Sequence, residues 1–232
     1  MFNMMVEKGC SPNVFSYTIL INGYCKSKKI DETKRLLHEM SYKGMIPNVV
    51  TYSTLIGGLC RVERVQTALE LFNTMRACGQ HPNPQTYATL LDGFFKNRQI
   101  AEAMVLFQEM EDKRLDCDIV ISSILINGFC NVGELTTARE IFSGLPAKGL
   151  KPNVWTYAIM IKGFCKNGLV DEASELLEKM DGNGCSPNEH TYNTLIQGFW
   201  QHRVTSKAMK YLKMMVDNGF SANATTAALS KN

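Results

Sequence analysis

Apolar residues recur at helical spacing along the chain, in stripes that short polar turns separate. The first two stripes contain Tyr17, Leu20, Ile21, Tyr24 and Cys25, and then Ile30, Leu36, Leu37 and Met40. Spacings of three and four residues place side chains on one face of an α-helix, whereas a half-buried strand would alternate at every second residue. The pattern therefore predicts pairs of amphipathic helices and no strands.

The same pattern returns every 35 residues. Glycine occupies one position of the period without exception, at Gly23, Gly58, Gly93, Gly128, Gly163 and Gly198. Each period contains two helical stripes, so we divide the chain into repeats at residues 14–48, 49–83, 84–118, 119–153, 154–188 and 189–223. Residues 1–13 are interpreted as the C-terminal part of a truncated repeat, and residues 224–232 as the start of a partial repeat.

Two helices alone cannot bury both apolar stripes, so successive repeats are expected to share a continuous core. The predicted fold class is all-α, a right-handed superhelical solenoid of two-helix, 35-residue repeats. Four substitutions depart from the repeat pattern: Ser122 replaces a recurrent tyrosine, Cys117 and Ala222 replace the penultimate proline, and Thr33 replaces a recurrent alanine of the second helix. We expect the third-to-fourth junction and the last repeat to be the least regular.

Composition and charge narrow the function classes. With 45% hydrophobic and 20% charged residues the chain is globular, and its net charge of +3 leaves room only for a local nucleic-acid surface. No apolar run reaches the roughly 18 to 20 residues that cross a bilayer, so a membrane protein is not expected. The opening residues have the features of neither a signal nor a transit peptide, and we interpret the chain as an internal piece of a longer protein.

Eight cysteines without a C-x-x-C pair favour a reduced compartment. Cys25, Cys60, Cys130 and Cys165 recur on the buried stripe. Packed helices lie roughly 8 to 10 Å apart, beyond the roughly 7 Å limit for a disulfide, so we interpret these cysteines as core residues. The sequence lacks the common metalloprotease, phosphate-binding and hydrolase motifs, and we predict no enzyme, no metal and no cofactor.

The motifs within a repeat resemble those of a known family. One repeat contains the segments VTYSTLIGGLCR, LFNTM and GQHPN in order, and alanine recurs in the second helix at Ala68, Ala103, Ala138, Ala173 and Ala208. With the 35-residue period, these motifs resemble the pentatricopeptide repeat family over essentially the whole chain. Tetratricopeptide arrays have a 34-residue period and a different pattern. The uniform spacing resembles the plain class, and the motifs are similar to those of plant fertility-restorer-like members.

The resemblance implies binding of single-stranded RNA at about one nucleotide per repeat. It implies that the residue after the recurrent tyrosine and the last residue of the same repeat recognise one base, and that the second residue of the repeat flanks it. The recognition pairs are Thr18 with Asn48, Ser53 with Asn83, Ala88 with Asp118, Ser123 with Asn153, Ala158 with Asn188, and Asn193 with Asn223. The flanking residues are Phe15, Val50, Gln85, Val120, Trp155 and His190.

The chemistry of the pairs suggests a base order. An asparagine amide carries a donor and an acceptor that match adenine, and a small threonine or serine leaves room for a purine. By the family's pairing preferences the three Thr/Ser–Asn pairs imply adenine, and Asn193 with Asn223 implies a pyrimidine. The hypothesis is 5′-A-A-x-A-x-Y-3′, with weak third and fifth letters because Ala88 and Ala158 cannot form side-chain hydrogen bonds.

Each expected contact also has a simpler structural explanation. A closing asparagine is a favourable helix N-cap, and Phe15 and Trp155 are placed where aromatic residues often act as packing staples. Four basic residues end the first helices, at Lys26, Arg61, Lys96 and Lys166. They complement the helix dipole there, and alternatively they contact RNA phosphates.

The implied function is sequence-selective binding of single-stranded RNA, A-rich by the pairs above, in organelle RNA processing, stability or translation. RNA-processing proteins are a second expected class of partner, and the mitochondrion is favoured over the chloroplast by resemblance. The alternative is a helical scaffold that binds a protein or peptide in its concave groove. Bulky apolar residues in that groove would favour the scaffold, whereas small polar pairs repeated every 35 residues favour RNA.

Overall fold

The computed structural model describes residue 9, residues 11–115 and residues 117–229. These residues form α-helices joined by short turns, and no strand occurs among them. Contacts divide the chain into two compact units, Met1–Cys117 and Asp118–Asn232, here called the N-terminal unit and the C-terminal unit. The predicted all-α array of two-helix repeats is confirmed.

The helices have nearly uniform lengths. In the N-terminal unit they are α1 (Val14–Lys26), α2 (Ile30–Tyr42), α3 (Val49–Arg61), α4 (Val65–Ala77), α5 (Pro84–Lys96) and α6 (Ile100–Asp112). In the C-terminal unit they are α7 (Ile119–Val132), α8 (Leu135–Gly144), α9 (Val154–Lys166), α10 (Val170–Gly182), α11 (Glu189–Gln201), α12 (Thr205–Asp217) and α13 (Ala224–Leu229). None of the helices in the described ranges is long and apolar enough to cross a bilayer.

The first helices of successive repeats pack side by side, and each is backed by the second helix of its own repeat. In the N-terminal unit α3 lies between α1 and α5, with α2, α4 and α6 packed behind them in turn. In the C-terminal unit α9 lies between α7 and α11, backed by α8, α10 and α12, and α13 packs on α11. Most of the predicted partial repeat at residues 1–13 lies outside the described residues, as do the last three residues of the one at 224–232.

Each first helix begins at the side chain of the residue that closes the preceding repeat. Asn48 Oδ1 accepts a hydrogen bond from the backbone amide of Thr51 at 3.0 Å, and Asn83 Oδ1 accepts one from that of Thr86 at 2.9 Å. Asp118 accepts two such bonds, both of 2.9 Å. These bonds satisfy amides that have no partner within the helix, which is why the helices start where they do. The same cap is formed by Asn13, Asn153 and Asn188.

A contact between glycine and cysteine sets how closely consecutive first helices approach. A Cβ added at Gly93 would lie 2.8 Å from the Cβ of Cys60, closer than real Cβ contacts come. The same clash would occur at Gly58 with Cys25, at Gly163 with Cys130 and at Gly198 with Cys165. Four of the six recurrent glycines therefore make room for the cysteine of the preceding repeat.

The second helices bury small and flexible side chains. Their recurrent alanines at positions 68, 103, 138, 173 and 208 are all 0% exposed. Thr33, which replaces the first of them, is equally buried and satisfies its hydroxyl by donating to the Lys29 carbonyl at 2.9 Å. Leu145 is buried where other repeats place methionine. The positions that vary within this series thus keep the core filled.

The regularity of the repeats differs in part from expectation. The last repeat is regular, because α11 and α12 each have 13 residues and the side chain of Asn223 still accepts from the Thr226 amide at 2.9 Å. The expectation that it would be irregular is wrong. The fourth repeat instead has a short second helix, since α8 ends at Gly144 and a 3₁₀ turn, Pro146–Lys148, follows. Pro146 lacks the backbone N–H that an α-helix would need there.

The recurrent cysteines are buried thiols. Cys25, Cys130 and Cys165 are at most 3% exposed, and burial raises the pKa of the Cys165 thiol to about 12 and that of Cys130 to about 11. Burial also raises the pKa of Cys60 to about 12. Removing a thiolate from water is costly, so these groups stay protonated in the fold.

We expect Gly93→Ala to destabilise the protein by about 1–3 kcal/mol, because the new methyl group overlaps Cys60 and forces the helices apart. Gly23→Ala is the matched control, since no described atom lies within 4 Å of its added Cβ. Alanine in a free helical position should stabilise by about 0.5–1 kcal/mol. Thermal unfolding followed by circular dichroism measures both; equal effects of the two substitutions would contradict the packing role.

Iodoacetamide at pH 8.5 should modify the exposed Cys78 well before Cys60, Cys130 and Cys165, because the thiolate is the reactive form. The unfolded thiol loses its proton near pH 9.0, whereas the folded thiols of Cys60, Cys130 and Cys165 keep theirs to about 11 or 12. The free energy of unfolding should therefore fall as pH rises above 9. Mass spectrometry of the labelled sites and urea unfolding at pH 8 and pH 10 test this. Equal labelling of all four cysteines would refute it.

Asn83→Ala should lower the free energy of unfolding by about 0.5–2 kcal/mol, because the cap on Thr86 is lost. Asn83→Asp should change it by less, since a carboxylate oxygen caps as well, as Asp118 does. Urea unfolding of the two variants provides the comparison. If Asn83→Asp destabilised the protein as much as Asn83→Ala, the side-chain NH₂ group of Asn83, rather than its capping oxygen, would account for the stabilisation.

Candidate nucleic-acid interface

The stacking of first helices brings most predicted recognition pairs together. In the N-terminal unit the fifth residue of one first helix faces the N-terminus of the next, where the closing asparagine lies. Thr18 Oγ1 is 2.8 Å from Thr51 Oγ1, and Thr51 is bonded to the side chain of Asn48. Thr18 and Asn48, which are 30 residues apart, therefore belong to one hydrogen-bonded cluster.

A buried threonine bridges the two members of a pair. Thr86 is 0% exposed, and its hydroxyl lies 2.7 Å from Ser53 Oγ and 2.9 Å from Asn83 Oδ1. Asn83 Oδ1 only accepts, so the single proton of Thr86 must go to it. Ser53 must then donate its own proton to Thr86. The Ser53 oxygen is left with a lone pair that can accept a hydrogen bond from a ligand.

The caps fix which way the asparagine amides point. Because Oδ1 of Asn48 and of Asn83 faces the backbone amide of the next helix, the NH₂ group of each faces away from it. Among the residues that the structure describes, neither NH₂ group donates a hydrogen bond. Asp118 differs, because one oxygen takes both backbone amides and the other remains an acceptor. The cap thus leaves a donor on asparagine and an acceptor on aspartate.

The fourth pair repeats this arrangement less tightly. Ser123 Oγ donates to the Ile119 carbonyl at 2.6 Å and is 3.4 Å from Thr156 Oγ1. Thr156 in turn bonds Asn153 Oδ1 at 3.1 Å. The third pair divides between the two units: Ala88 is 2% exposed in one, and Asp118 is the cap of α7 in the other.

The fifth and sixth pairs present fewer accessible polar atoms. Ala158 is 3% exposed and offers no hydroxyl, and Thr191 instead donates to the backbone carbonyl of Asn188 at 2.7 Å. Asn193 is 2% exposed and accepts from the backbone amide of Asn223 at 3.0 Å. Its own amide donates to the Glu189 carbonyl at 2.9 Å. Asn193 and Asn223 are in direct contact, but the polar groups of Asn193 are already engaged.

The predicted flanking residues project from the first turn of each first helix. Phe15 is 72% exposed and Trp155 is 66% exposed, whereas a packing staple would bury the ring. Val50 and Val120 are 60% and 49% exposed, and Gln85 and His190 are exposed too. The rings of Trp155 and His190 lie 5.4 Å apart, so flanking residues of adjacent repeats can reach one another.

The four basic residues at the ends of the first helices differ in their partners. Lys96 pairs with Asp92, and Lys166 donates to the Asn131 carbonyl at 3.0 Å and to its side chain at 3.1 Å. Lys26 and Arg61 are exposed and have no ion pair among the described residues. The phosphate and dipole explanations both remain compatible with Lys26 and Arg61.

Charge is distributed unevenly between the two kinds of helix. The first helices carry five basic and two acidic residues: Lys26, Arg61, Lys96, Lys162 and Lys166 against Asp92 and Glu189. Two second helices are strongly acidic: α6 has Glu102, Glu109, Glu111 and Asp112, and α10 has Asp171, Glu172, Glu175, Glu178 and Asp181 against Lys179. The second helix α12 is instead basic, with Lys207, Lys210 and Lys213 against Asp217. An anionic ligand is thus favoured on the first helices.

Sequence reasoning missed the bridging threonines. Their signal was present, because threonine precedes the recurrent tyrosine at Thr51, Thr86, Thr156 and Thr191. A threonine in a helix interior is usually counted as core, and only the packing of two first helices reveals that its hydroxyl touches both members of a pair. The ranges that the structure describes contain no group of three or more His, Cys, Asp or Glu side chains that could hold a metal ion.

Comparison with solved structures finds similar helical arrays. The pentatricopeptide repeat protein PPR10 of maize, in a complex with an 18-nt psaJ RNA element, superposes with a TM-score of 0.63 at 23% identity. The match covers 98% of this chain and 39% of PPR10. Nuclear proteinaceous RNase P 2 from A. thaliana matches with a TM-score of 0.59 at 14% identity, over 78% of this chain and 40% of that one. These likenesses support the fold, and this chain spans well under half the length of either protein.

Family models give a more specific result. No curated protein matches the chain. A model described as the PPR repeat family matches residues 1–26, 15–61, 47–96 and 86–131. Two further models, each described as PPR repeat, match residues 120–150 and residues 148–181 and 183–216. Together they follow the 35-residue period along nearly the whole chain, and the chain belongs to the PPR repeat family.

Proposed function

We propose that this chain is a sequence-selective module that binds single-stranded RNA at about one nucleotide per repeat. The observation that carries the proposal is the cluster of Ser53, Thr86 and Asn83, which leaves one acceptor and one donor side by side at the end of a first helix. The cluster of Thr18, Thr51 and Asn48 has a similar arrangement, with threonine in place of serine and with the Thr18 hydroxyl also donating to the Val14 carbonyl at 2.8 Å. The family model and the RNA in the PPR10 complex are consistent with such a ligand.

The hydrogen-bond pattern favours adenine at these repeats. The Watson–Crick edge of adenine presents an amino donor beside a ring-nitrogen acceptor. The Ser53 oxygen would accept from the amino group, and the Asn83 amide would donate to the ring nitrogen. Guanine presents two donors on this edge and would leave the asparagine donor unpaired, which costs about 1–3 kcal/mol when it is buried. This reasoning supports adenine as the first, second and fourth letters of 5′-A-A-x-A-x-Y-3′.

The third, fifth and sixth letters are supported by fewer hydrogen-bonding groups. Asp118 offers an acceptor without a hydroxyl partner, and Ala158 leaves Asn188 alone. The pyrimidine assigned to Asn193 and Asn223 stays a prediction from the family resemblance, because the Asn193 side chain is buried and already bonded.

The surroundings of the pairs suit a strand of RNA better than a protein segment. The recognition positions are small and polar or small and apolar, and the exposed side chains beside them include the rings of Phe15 and Trp155, on which bases can stack. The excess of basic over acidic residues on the first helices suits a phosphate backbone. A scaffold for a protein partner would instead need a groove lined by bulky apolar side chains, so we favour RNA.

The biological setting follows from family membership. We infer a role in RNA processing, stability or translation within an organelle, with the mitochondrion first and the chloroplast second, and RNA-processing proteins as further partners. We infer that these residues occupy RNA rather than cleave it, since the repeats account for nearly all of the chain. The RNase named among the structural neighbours is a longer protein, of which the match covers 40%.

Titration of labelled RNA containing A-A-N-A-N-C against a shuffled RNA of the same composition, at fixed salt, tests the proposal. The ordered RNA should bind more tightly, because each matched adenine satisfies a donor and an acceptor. Fluorescence polarisation measures both affinities. Equal binding to the two RNAs would refute sequence recognition, and binding to neither would refute the RNA ligand.

Asn48→Asp should move the preference at the first letter from adenine to guanine. The cap is retained, while the exposed donor becomes an acceptor that matches the ring and amino hydrogens of guanine. We expect a reversal of at least about fivefold in relative affinity, since a mismatched base costs about 1–3 kcal/mol in related recognition. Competition between RNAs that differ at one letter measures it.

Asn83→Asp is the matched control for Asn48→Asp. It should alter the second letter and leave the first unchanged, with a smaller effect on stability than Asn83→Ala. A change at every letter, or at none, would contradict the assignment of one asparagine to one base.

A further inference from the structure

The turn that joins the two helices of a repeat contains a residue in the left-handed backbone conformation. This residue is glycine in two repeats, Gly133 and Gly168, with φ of 91° and 80°. In the other four it has a long charged side chain: Lys28 (φ 57°), Glu63 (φ 62°), Arg98 (φ 58°) and Arg203 (φ 60°). Residues with a Cβ are disfavoured in this conformation, so something other than backbone preference accounts for these side chains.

The turn itself imposes the conformation. The amide of Lys29 donates to the Tyr24 carbonyl at 2.9 Å, and Gln99 makes the equivalent bond to Phe94 at 2.9 Å. Such bonds close a Schellman turn, whose C′ residue must be left-handed and is usually glycine. The glycines at positions 133 and 168 demonstrate that glycine fits this turn in the same chain. The basic residues thus persist at positions where glycine would be the unstrained choice.

Neither packing nor ion pairing explains the three basic side chains. Lys28, Arg98 and Arg203 are exposed and make no ion pair with any residue that the structure describes. Most basic residues of the second helices are paired, although Lys34, Lys210 and Lys213 have no ion pair among the described residues. Arg35 pairs with Glu32 at 3.0 Å, and Arg76 with Glu109 at 3.0 Å. The same holds for Arg139, Lys179 and Lys207, each of which has an acidic partner. The three basic turn residues therefore carry positive charge that no acidic residue among the described ones compensates.

The turns lie at the other end of the first helices from the recognition pairs. Thr18 and Lys26 are eight residues apart on α1, which is about 12 Å along the axis at about 1.5 Å per residue. Within the N-terminal unit α1, α3 and α5 pack side by side, so their turns form one edge. Lys28 and Arg98 lie on that edge with Lys26 and Arg61 close by in sequence. If the bases of an RNA strand contact the asparagines at one end of the first helices, the sugar-phosphate backbone of that RNA would lie between the asparagines and the turns at the other end.

We propose that Lys28, Arg98 and Arg203, which are exposed basic residues in left-handed turns, bind phosphates of the RNA backbone. The inference rests on the proposed RNA-binding function and adds to it a set of contacts that carry affinity but no base preference. Strained positions with exposed functional side chains are typical of binding sites. Long cations on a rigid turn can follow a backbone whose bases are fixed elsewhere.

The test is the triple variant Lys28→Gly, Arg98→Gly and Arg203→Gly. Glycine relieves the left-handed strain, so the melting temperature should be no lower than that of the wild type, and weaker binding could not be attributed to misfolding. The slope of log affinity against log salt should become shallower by about 2, at about 0.7 per phosphate contact on single strands. The preference for A-A-N-A-N-C over the shuffled RNA should not change.

Glu63→Gly is the matched control, because it relieves the same backbone strain and removes a negative charge. It should leave the salt slope unchanged or make it steeper, with no loss of affinity. Conversely, Gly168→Arg should lower the melting temperature and make the slope steeper by about 0.7. Glu63→Gly and Gly168→Arg both make the charge more positive, but the first removes backbone strain and the second adds it, so the pair separates the effect of charge from that of strain.

The outcomes separate the two proposals. An unchanged salt slope and affinity in the triple variant, while the wild type still prefers the ordered RNA, would overturn the phosphate contacts and leave the proposed function standing. Absence of RNA binding by the wild type would overturn the proposed function, and the phosphate contacts with it. Loss of base preference in the triple variant at an unchanged slope would also contradict the inference, because phosphate contacts carry no base preference.

Discussion

The seating of each cysteine on the glycine of the next repeat is the contact on which the rest of the structure depends. It lets consecutive first helices approach until Cys60 touches the backbone at Gly93, and the same holds for Cys25, Cys130 and Cys165 with their glycines. This close approach brings the fifth residue of one helix within hydrogen-bonding distance of the N-terminus of the next. The residues of the predicted recognition pairs therefore come together because a core contact sets the spacing between consecutive first helices.

The asparagine that closes a repeat caps the next helix, and this cap is compatible with the base recognition that we propose for it. Its oxygen caps the next helix, and the cap holds the amide so that its donor faces outward. A side chain that is already fixed loses little conformational freedom when a ligand binds, which favours selective recognition. The observed N-cap and the proposed base recognition are consequently compatible in one arrangement, in which the cap orients the amide that we propose to bind a base.

The second helices differ from the first helices and the turns that follow them in unpaired charge and in backbone strain. The second helices neutralise most of their basic residues with nearby acids and bury alanine and methionine, which suits a purely structural layer. The first helices and the turns that follow them carry exposed aromatic rings, amides and unpaired cations. Arg98, whose left-handed backbone lowers stability, lies in one of the turns that we assign to RNA.

Much of this protein was determined by the sequence alone, because its period of 35 residues repeats the same local rules six times. Helical spacing, closing asparagines and recurrent glycines predicted the two-helix repeats and the positions of the helices, and the family resemblance supplied the candidate pairs. Three things depended on tertiary structure, since each involves groups in different helices or a backbone angle. These are the partner of each glycine, the bridging role of Thr86 and the unpaired charge of Lys28. All three follow from how the helices pack, because the sequence of a single repeat does not specify its distance from the next repeat. The short α8 was missed for a different reason, because Pro146 acts on a helix end that the periodic pattern alone would have extended.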